Sequence, residues 1–402
     1  VIEDSSPTKL LYILNHYDPS ASTHFSHVIP LLEEIASRGM PVRLLIEKAE
    51  VAPRTVLVDV VVAGDEKTHP FRRVIATARA VREAHDSGYN LAYVRISATG
   101  VIAAGLGRLV SRIKRKRAPI IYWQSGTTLT GERVRFLPKS LAPRWAGGSP
   151  SKIAAWQFMD YFATGPGAMI DYYREYGDVP ARKLVLLYND VDCSRYAFST
   201  GDQVSAKAWL CEVLGIDSDK RIILHNHRFS PVRRSSLYFP NLMLRLQEMD
   251  LLEGCHFVLV GGGPDKSEIE ERVLKAGLGA SVTFMGSMPN RELDRVYAAS
   301  DLFLQASYAE GFPRVLLEAM ASGLPMVSTD AGGSGDLVGP LQAQHVHRLD
   351  DLAGMARSLA ELVSEPEKAA EVGQENKEWV RRYDLRTVAS MYIRALGDLV
   401  ED

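Results

Sequence analysis

The sequence predicts an α/β protein made of two doubly wound, Rossmann-like domains. Three observations predict it: a length of 402 residues, an alternation of apolar strands and amphipathic helices that runs through the chain twice, and a composition with 46% hydrophobic and 24% charged residues. That length exceeds what one ordinary core fills, so two domains are expected. The composition fits a globular protein and excludes a disordered or fibrous one. Strands that alternate with helices through short loops form a parallel sheet covered on both faces.

The first series opens with KLLYILNHY, an apolar strand that breaks into the loop DPSAST. HVIPLLEEIASRG then has helical spacing and stops at Gly39 and Pro41, and PVRLLIE is the second strand. Further on come the strand YNLAYVRIS, a helical stretch from Gly100 to Arg117 and the strand APIIYW. A segment rich in Arg, Pro and Gly leads to Pro150. A helix around Ala154 to Met159, the short strand DYFATG, the helix AMIDYYREYG and the strand KLVLLYN complete the series.

The polar stretch SRYAFSTGDQVS reads as a linker, which divides the chain into a first domain over residues 1–196 and a second over 197–385. The second series is KRIILHNHR (strand), SLYFPNLMLRLQEM (helix), CHFVLVGGGPD (strand into glycines), KSEIEERVLKAG (helix) and VTFMG (strand). NRELDRVYAAS (helix), DLFLQAS (strand), PRVLLEAMASG (helix) and LPMVST (strand) follow. A last helical pattern, Thr387 to Leu399, has no obvious place in this second unit, so residues 386–402 are assigned back to the first domain. Two such domains facing each other would leave a cleft at the carboxyl ends of both sheets, where ligands of doubly wound folds bind.

The net charge of −2 hides an asymmetry. Residues 1–200 hold 26 Lys and Arg against 19 Asp and Glu, and residues 101–150 alone carry ten basic side chains and one acid, Glu132. Such a half fits an anionic partner, a membrane surface or a phosphorylated acceptor; it equally fits a solvated basic face. The run GRLVSRIKRKR has Val101, Ile102, Leu106, Leu109, Val110 and Ile113 on one side of its expected helix. Its basic stretch 108–117 has the same two readings, a contact with anionic lipid or the charged end of a core-packed helix. Cys193, Cys211 and Cys255 lie far apart, without metal-ligand spacing or a disulfide framework. No transmembrane span or signal peptide is apparent, so a cytoplasmic location is expected.

The chemistry concentrates in EGFPRVLLEAMASGLP, Glu310 to Pro325. Pro313 suits the first turn of a helix, where its missing amide proton has no intrahelical partner, and Gly323 suits its end. The helix N-terminus, with free amides from Arg314 and Val315 onward, can hold a phosphate. Glu318 follows Glu310 by eight residues, about 12 Å along a helical path. That is the span from a sugar, across a diphosphate, to a ribose. Val315, Leu316, Leu317, Ala319 and Met320 surround Glu318 with apolar neighbours, and a buried carboxylate needs a partner such as a ribose diol.

This segment resembles the E-x7-E signature of the retaining glycosyltransferases of family 4, which have the GT-B fold, and the likeness continues through STDAGGSGDLVG. The resemblance implies that Glu310 lies beside the donor sugar, that Glu318 binds the ribose hydroxyls, and that the backbone of Phe312, Pro313, Arg314 and Val315 faces the sugar and phosphates. It implies that the pair Arg228 and Arg233 of HNHRFSPVRR, five apart, neutralises the leaving diphosphate, with Arg234 a competitor for that role. By the same likeness Gly262 of VGGGPD lies near the nucleotide and Gly286 of FMGSMP contacts the base through its backbone. YNDVDCSRYAF resembles the family's hinge segment, with Asp190 in place of glycine and Asn189 and Asp192 as capping residues. The family's sugar-binding histidine would stand at Ser125, beside Gln124, and no histidine is present there. The paired glycines after the first strand are replaced by Asp18, Pro19, Ser20 and Ala21, leaving Ser22, Thr23 and His24 as polar candidates.

The expected function is therefore metal-independent, retaining transfer of a hexose-type sugar from a nucleoside-diphosphate sugar to a glycan, lipid-linked or small-molecule acceptor, with no cofactor and no nucleic acid. The alternative is a GT-B-fold nucleotide-sugar-binding protein with little or no transferase activity. A nicotinamide oxidoreductase would need a spaced glycine fingerprint and an acid about 20 residues on, which the first strand lacks.

Overall fold

The computed structural model describes residues 7–19, 27–111, 118–126 and 138–401. The chain divides into two compact units, residues 1–188 with 385–402, and residues 189–384.

The first unit carries β1 (Leu10–Leu14), α1 (Val28–Ser37), β2 (Val42–Ile46), β3 (Asp59–Val62), α2 (Pro70–Asp86), β4 (Leu91–Arg95) and α3 (Ala98–Val110). It continues with β5 (Ile120–Trp123), α4 (Pro150–Phe158), β6 (Tyr161–Thr164), α5 (Gly167–Glu175) and β7 (Leu184–Leu186). Its seven strands are parallel in the order β3-β2-β1-β4-β5-β6-β7. β1 is apolar at every position because both faces are covered: Leu10, Tyr12 and Leu14 enter one core, and Leu11 and Ile13 the other.

The second unit carries α6 (Thr200–Leu214), β8 (Arg221–Asn226), α7 (Ser235–Glu248), β9 (Cys255–Val260), α8 (Lys266–Lys275), β10 (Val282–Gly286) and α9 (Asn290–Ala299). Then come β11 (Leu302–Gln305), α10 (Arg314–Ala321), β12 (Met326–Thr329), α11 (Pro340–Ala343), β13 (Val346–His347), α12 (Leu352–Ser364) and α13 (Pro366–Trp379). Its strands are parallel in the order β10-β9-β8-β11-β12-β13. One face buries Phe239, Leu242, Met243 and Leu246 of α7, Ile269 and Val273 of α8, and Leu359 and Leu362 of α12. The chain leaves β8 toward β9 on one side and leaves β11 toward β12 on the other. The carboxyl ends of β8 and β11 are thus the switch point at which a doubly wound sheet opens to a ligand.

The last helix, α14 (Leu385–Glu401), belongs to the first unit. Val388, Ala389, Tyr392 and Leu396 join the core face that α1 covers, and the Tyr93 and Tyr392 hydroxyls lie 3.3 Å apart.

The stretch read as a linker is mostly ordered secondary structure of the second unit. Cys193–Tyr196 is a 3-10 turn, and α6 starts at Thr200 behind a capping box in which Ser199 and Asp202 satisfy each other's amides. The polar composition that suggested a linker is that of a helix start. The chain enters the second unit at Asn189, before this stretch, because residues from Val191 on are tied to the unit's exit. The Val191 amide donates to the Tyr383 carbonyl at 3.0 Å, and the Cys193 amide to Asp384 Oδ2 at 3.3 Å.

The basic helix also differs from expectation. α3 ends at Val110, and residues 112–117 lie outside the described residues. Its buried side is built of small residues, Gly100, Ala103, Ala104 and Gly107 with Val101, while Leu109 and Val110 are 69% and 67% exposed. Arg108, expected on the basic surface, is buried: it pairs with Asp160 and donates to the carbonyls of Ala118 and Phe158. Among the described residues no helix is long and apolar enough to cross a membrane.

Candidate functional site

β8 and β11 deliver the central residues of the site. β8 runs out into His227 and Arg228, and β11 into Ser307 and Glu310. Glu310 is 7% exposed, and three segments hold its carboxylate. His227 Nε2 donates to Oε1 at 2.7 Å from the end of β8, and Ser307 Oγ donates to the same oxygen at 2.8 Å. Arg233, in the 3-10 turn before α7, brings Nε to 3.1 Å from Oε1 and donates a second N–H to Oε2 at 3.3 Å. Burial alone would raise the Glu310 carboxyl. Arg233, His227 and Ser307 outweigh it and hold the group at about 2, so it is ionised at neutral pH. Burial pushes the His227 imidazole below its ordinary value, which keeps it neutral.

The two arginines read as a pair behave differently. Arg233 is paired with Glu310, whereas the Arg228 side chain is exposed and its carbonyl accepts from Arg233 at 3.4 Å. Arg234 lies over the Tyr308 ring, 3.7 Å from its centroid, with an unusual φ of +51° at the start of α7. Arg234 is thus stacked on Tyr308, while Arg233 faces the Glu310 carboxylate.

α10 begins at Arg314, so Pro313 is its capping residue and not its first helical one; the Pro313 carbonyl accepts the Leu316 amide at 3.0 Å. The cause is local: Pro313 has ψ 89°, an extended and non-helical value. Phe312 and Pro313 are buried, Val315 is half-buried, and Arg314 Nε donates to the Asp190 carbonyl at 3.2 Å. Gly323, at φ +75°, ends the helix with its amide on the Met320 carbonyl. Asp190 has no positive φ, so a glycine is not required there, and Asp192 caps the following turn through the Ser194 amide.

Glu318, half-buried, has a partner within the chain. Tyr297 OH donates to its Oε2 at 3.0 Å, and Asn226 Nδ2 at the end of β8 donates to that hydroxyl at 3.2 Å. Burial raises the Glu318 carboxyl, with Arg314, Tyr297 and Arg195 acting against it. Glu310 and Glu318 are thus in different settings, one buried and clamped in its charged form, the other partly open and bonded, among the described residues, by Tyr297.

The glycines close the floor beside β8. The His227 amide donates to the Val260 carbonyl, the Phe229 amide to Gly262 and the Gly261 amide to Gly286, at 2.9, 3.0 and 2.8 Å. Gly262 and Gly286 therefore lie on backbone that continues the sheet past its strands. Ser125 is in the first unit at the end of β5, half-buried, next to Gly126, whose carbonyl accepts from Tyr173 OH at 3.1 Å. Ser22, Thr23 and His24 lie outside the described residues. Among the described residues no group of three His, Cys, Asp or Glu side chains is placed to hold a metal ion.

Sequence reasoning missed His227, Ser307, Asn226 and Tyr297. The first two stand at the ends of strands that meet at the switch point, a position that topology marks and composition does not. Asn226 and Tyr297 are polar residues within apolar patterns, 71 positions apart, joined only by folding.

Residues 210–379 match the family model of glycosyl transferases group 1. The N-acetyl-alpha-D-glucosaminyl L-malate synthase of Bacillus anthracis is 26% identical over 224 residues, 56% of each chain. The D-inositol 3-phosphate glycosyltransferase of Rhodococcus jostii (strain RHA1) is 31% identical over 214 residues, 50% of this chain and 44% of that one. The chain thus spans about half the length of these curated relatives. Anabaena Alr3699/HepE, solved in complex with UDP, superposes with a TM-score of 0.72 over 97% of this chain and 100% of that one, at 17% identity. That likeness shows the GT-B fold. Over residues 210–379 the chain is thus similar to the group 1 glycosyl transferases, a likeness that supports a family 4-like glycosyltransferase.

Proposed function

We propose that this protein transfers a hexose-type sugar, with retention of configuration, from a nucleoside-diphosphate sugar to a glycan, lipid-linked or small-molecule acceptor. The observation that carries the reading is Glu310, an ionised carboxylate at the switch point of the second sheet, followed along α10 by the half-open Glu318. In this reading Glu310 orients the donor sugar and Glu318 takes the ribose hydroxyls. The α10 amides from Arg314 onward take the diphosphate, with Phe312, Pro313 and Val315 lining it. Gly262 and Gly286 lie along the nucleotide. Arg228 and Arg233 stabilise charge on the departing diphosphate, a part that needs no metal ion or cofactor. UDP in the HepE structure supports a nucleoside diphosphate as the shared element of the donor. We place the reaction at the cytoplasmic face of a membrane. The exposed Leu106, Leu109 and Val110, followed in sequence by the basic run to Arg117, would dock on anionic lipid.

The test has two arms. A panel of nucleoside diphosphates and their sugars is screened for thermal stabilisation, since a ligand of the folded state raises its stability. Nucleoside diphosphate release is then followed with the stabilising donor. Stabilisation with release supports the transferase; stabilisation with no release under any acceptor supports the binding-protein alternative; neither overturns the reading. Within the same assay Tyr297→Phe, which strips Glu318 of its hydrogen bond, is expected to weaken nucleoside diphosphate binding about tenfold, because a hydrogen bond to a charged group contributes roughly 1.5–3 kcal/mol. Calorimetric affinity within twofold of wild type would remove Tyr297 from this role.

A further inference from the structure

We infer that His227 is a positioning residue that fixes the Glu310 carboxylate toward the donor sugar, through a single proton carried on Nε2. The inference rests on the transferase reading above and adds a residue that the family resemblance does not supply.

Glu310 is ionised and can only accept, so the 2.7 Å contact requires His227 Nε2 to be the protonated nitrogen. Nδ1 is buried and has no hydrogen-bond partner among the described residues. The other titratable ring in contact, His225, is 5.4 Å away and is anchored separately, its Nδ1 on the Leu304 carbonyl at 2.9 Å. Arg233 is the charged group that faces the same carboxylate.

The backbone at His227 is as fixed as its side chain. Its amide is bound by Val260, and Gly261 packs directly on its carbonyl. A ring held on rigid backbone and aimed at one carboxylate oxygen is suited to setting direction, since misplacing a catalytic group by about 1 Å costs on the order of 100-fold in rate. Arg233, on a long flexible stem and partly exposed, supplies charge with less directional control.

The experiment compares wild type, His227→Phe and His227→Gln. Phenylalanine keeps the ring shape and removes the donor, while glutamine restores an N–H near the Nε2 position without a titratable group. Steady-state kinetics use the donor that wild type turns over, and thermal stabilisation by its nucleoside diphosphate reports folding and binding independently. The expected result is a fall in kcat of about 100-fold for His227→Phe with KM for donor within threefold, and recovery to within tenfold of wild type in His227→Gln. If His227→Phe keeps a third or more of wild-type kcat, the inference is overturned. If both variants bind diphosphate normally yet lose kcat equally, donation is not what matters and the inference is again overturned. It is overturned too if neither variant binds diphosphate, since the residue then serves folding. Absence of turnover in wild type itself would instead overturn the transferase reading, and this inference with it.

Discussion

Glu310→Gln is expected to reduce donor turnover about 1000-fold while nucleoside diphosphate still stabilises the protein, because the diphosphate and ribose contacts assigned to α10 and Glu318 remain. The size follows from losing one preorganised charge in a buried site, which costs roughly 100- to 1000-fold. Diphosphate release at the wild-type rate would show that Glu310 has no part in the chemistry. The same substitution has a second readout that does not depend on any ligand. The Glu310 carboxyl is held at about 2 against an ordinary value of 4.5, so it is more acidic in the folded than in the unfolded chain. Its contribution to stability is therefore complete above pH 4.5 and lost as the pH falls toward 2, and it is on the order of 3 kcal/mol. Denaturant titrations from pH 7 to pH 3 should show a steeper loss of stability for wild type than for Glu310→Gln. Parallel curves would mean that Arg233 and His227 do not hold the carboxylate in solution as they do in this structure.

Much of this architecture was readable from sequence because the signals were local. The apolar run of β1 is unbroken since both faces are covered, and the spacing from Val315 to Met320 marks α10 without reference to anything distant. The spacings that single out Glu310, Glu318 and Arg233 are local in the same way, each within a short segment. Which of the two arginines turns inward is not readable from spacing. Arg233 reaches Glu310 across 77 positions while Arg228 points to solvent. His227 stood in the quoted strand HNHR and still gave no signal, because a histidine at a strand end acquires its meaning only from the strand that folds beside it. Composition misled at Ser199 to Asp202, where polarity came from a helix cap, and at Arg108, whose charge is spent inside the fold on Asp160. In both places polar residues satisfy buried or terminal backbone groups, a demand that a count of charges does not register.

The floor of the site should be the part least tolerant of change, and Gly261→Ala is expected to cost roughly 3–5 kcal/mol. Gly261 has φ +135°, a backbone conformation that side chains rarely adopt. A Cβ there would lie 1.9 Å from the His227 carbonyl oxygen and 2.9 Å from its carbon. These are backbone atoms with no rotamer to change, and the hydrogen bonds from the His227 amide to Val260 and from the Phe229 amide to Gly262 hold that segment on both sides. The added methyl must separate the loops after β8 and β9, and the loop it moves carries the ring that orients Glu310. Denaturation should therefore show the loss of stability, and donor turnover should fall by more than the unfolded fraction explains. Gly262→Ala is the matched control. Its Cβ would meet only the Ser287 hydroxyl, at 2.7 Å, on a short side chain that can rotate away, and its φ lies outside the left-handed range. A Gly261→Ala protein as stable as Gly262→Ala would show that the two loops do not need this approach, and that the position of His227 is set by something other than the backbone beneath it.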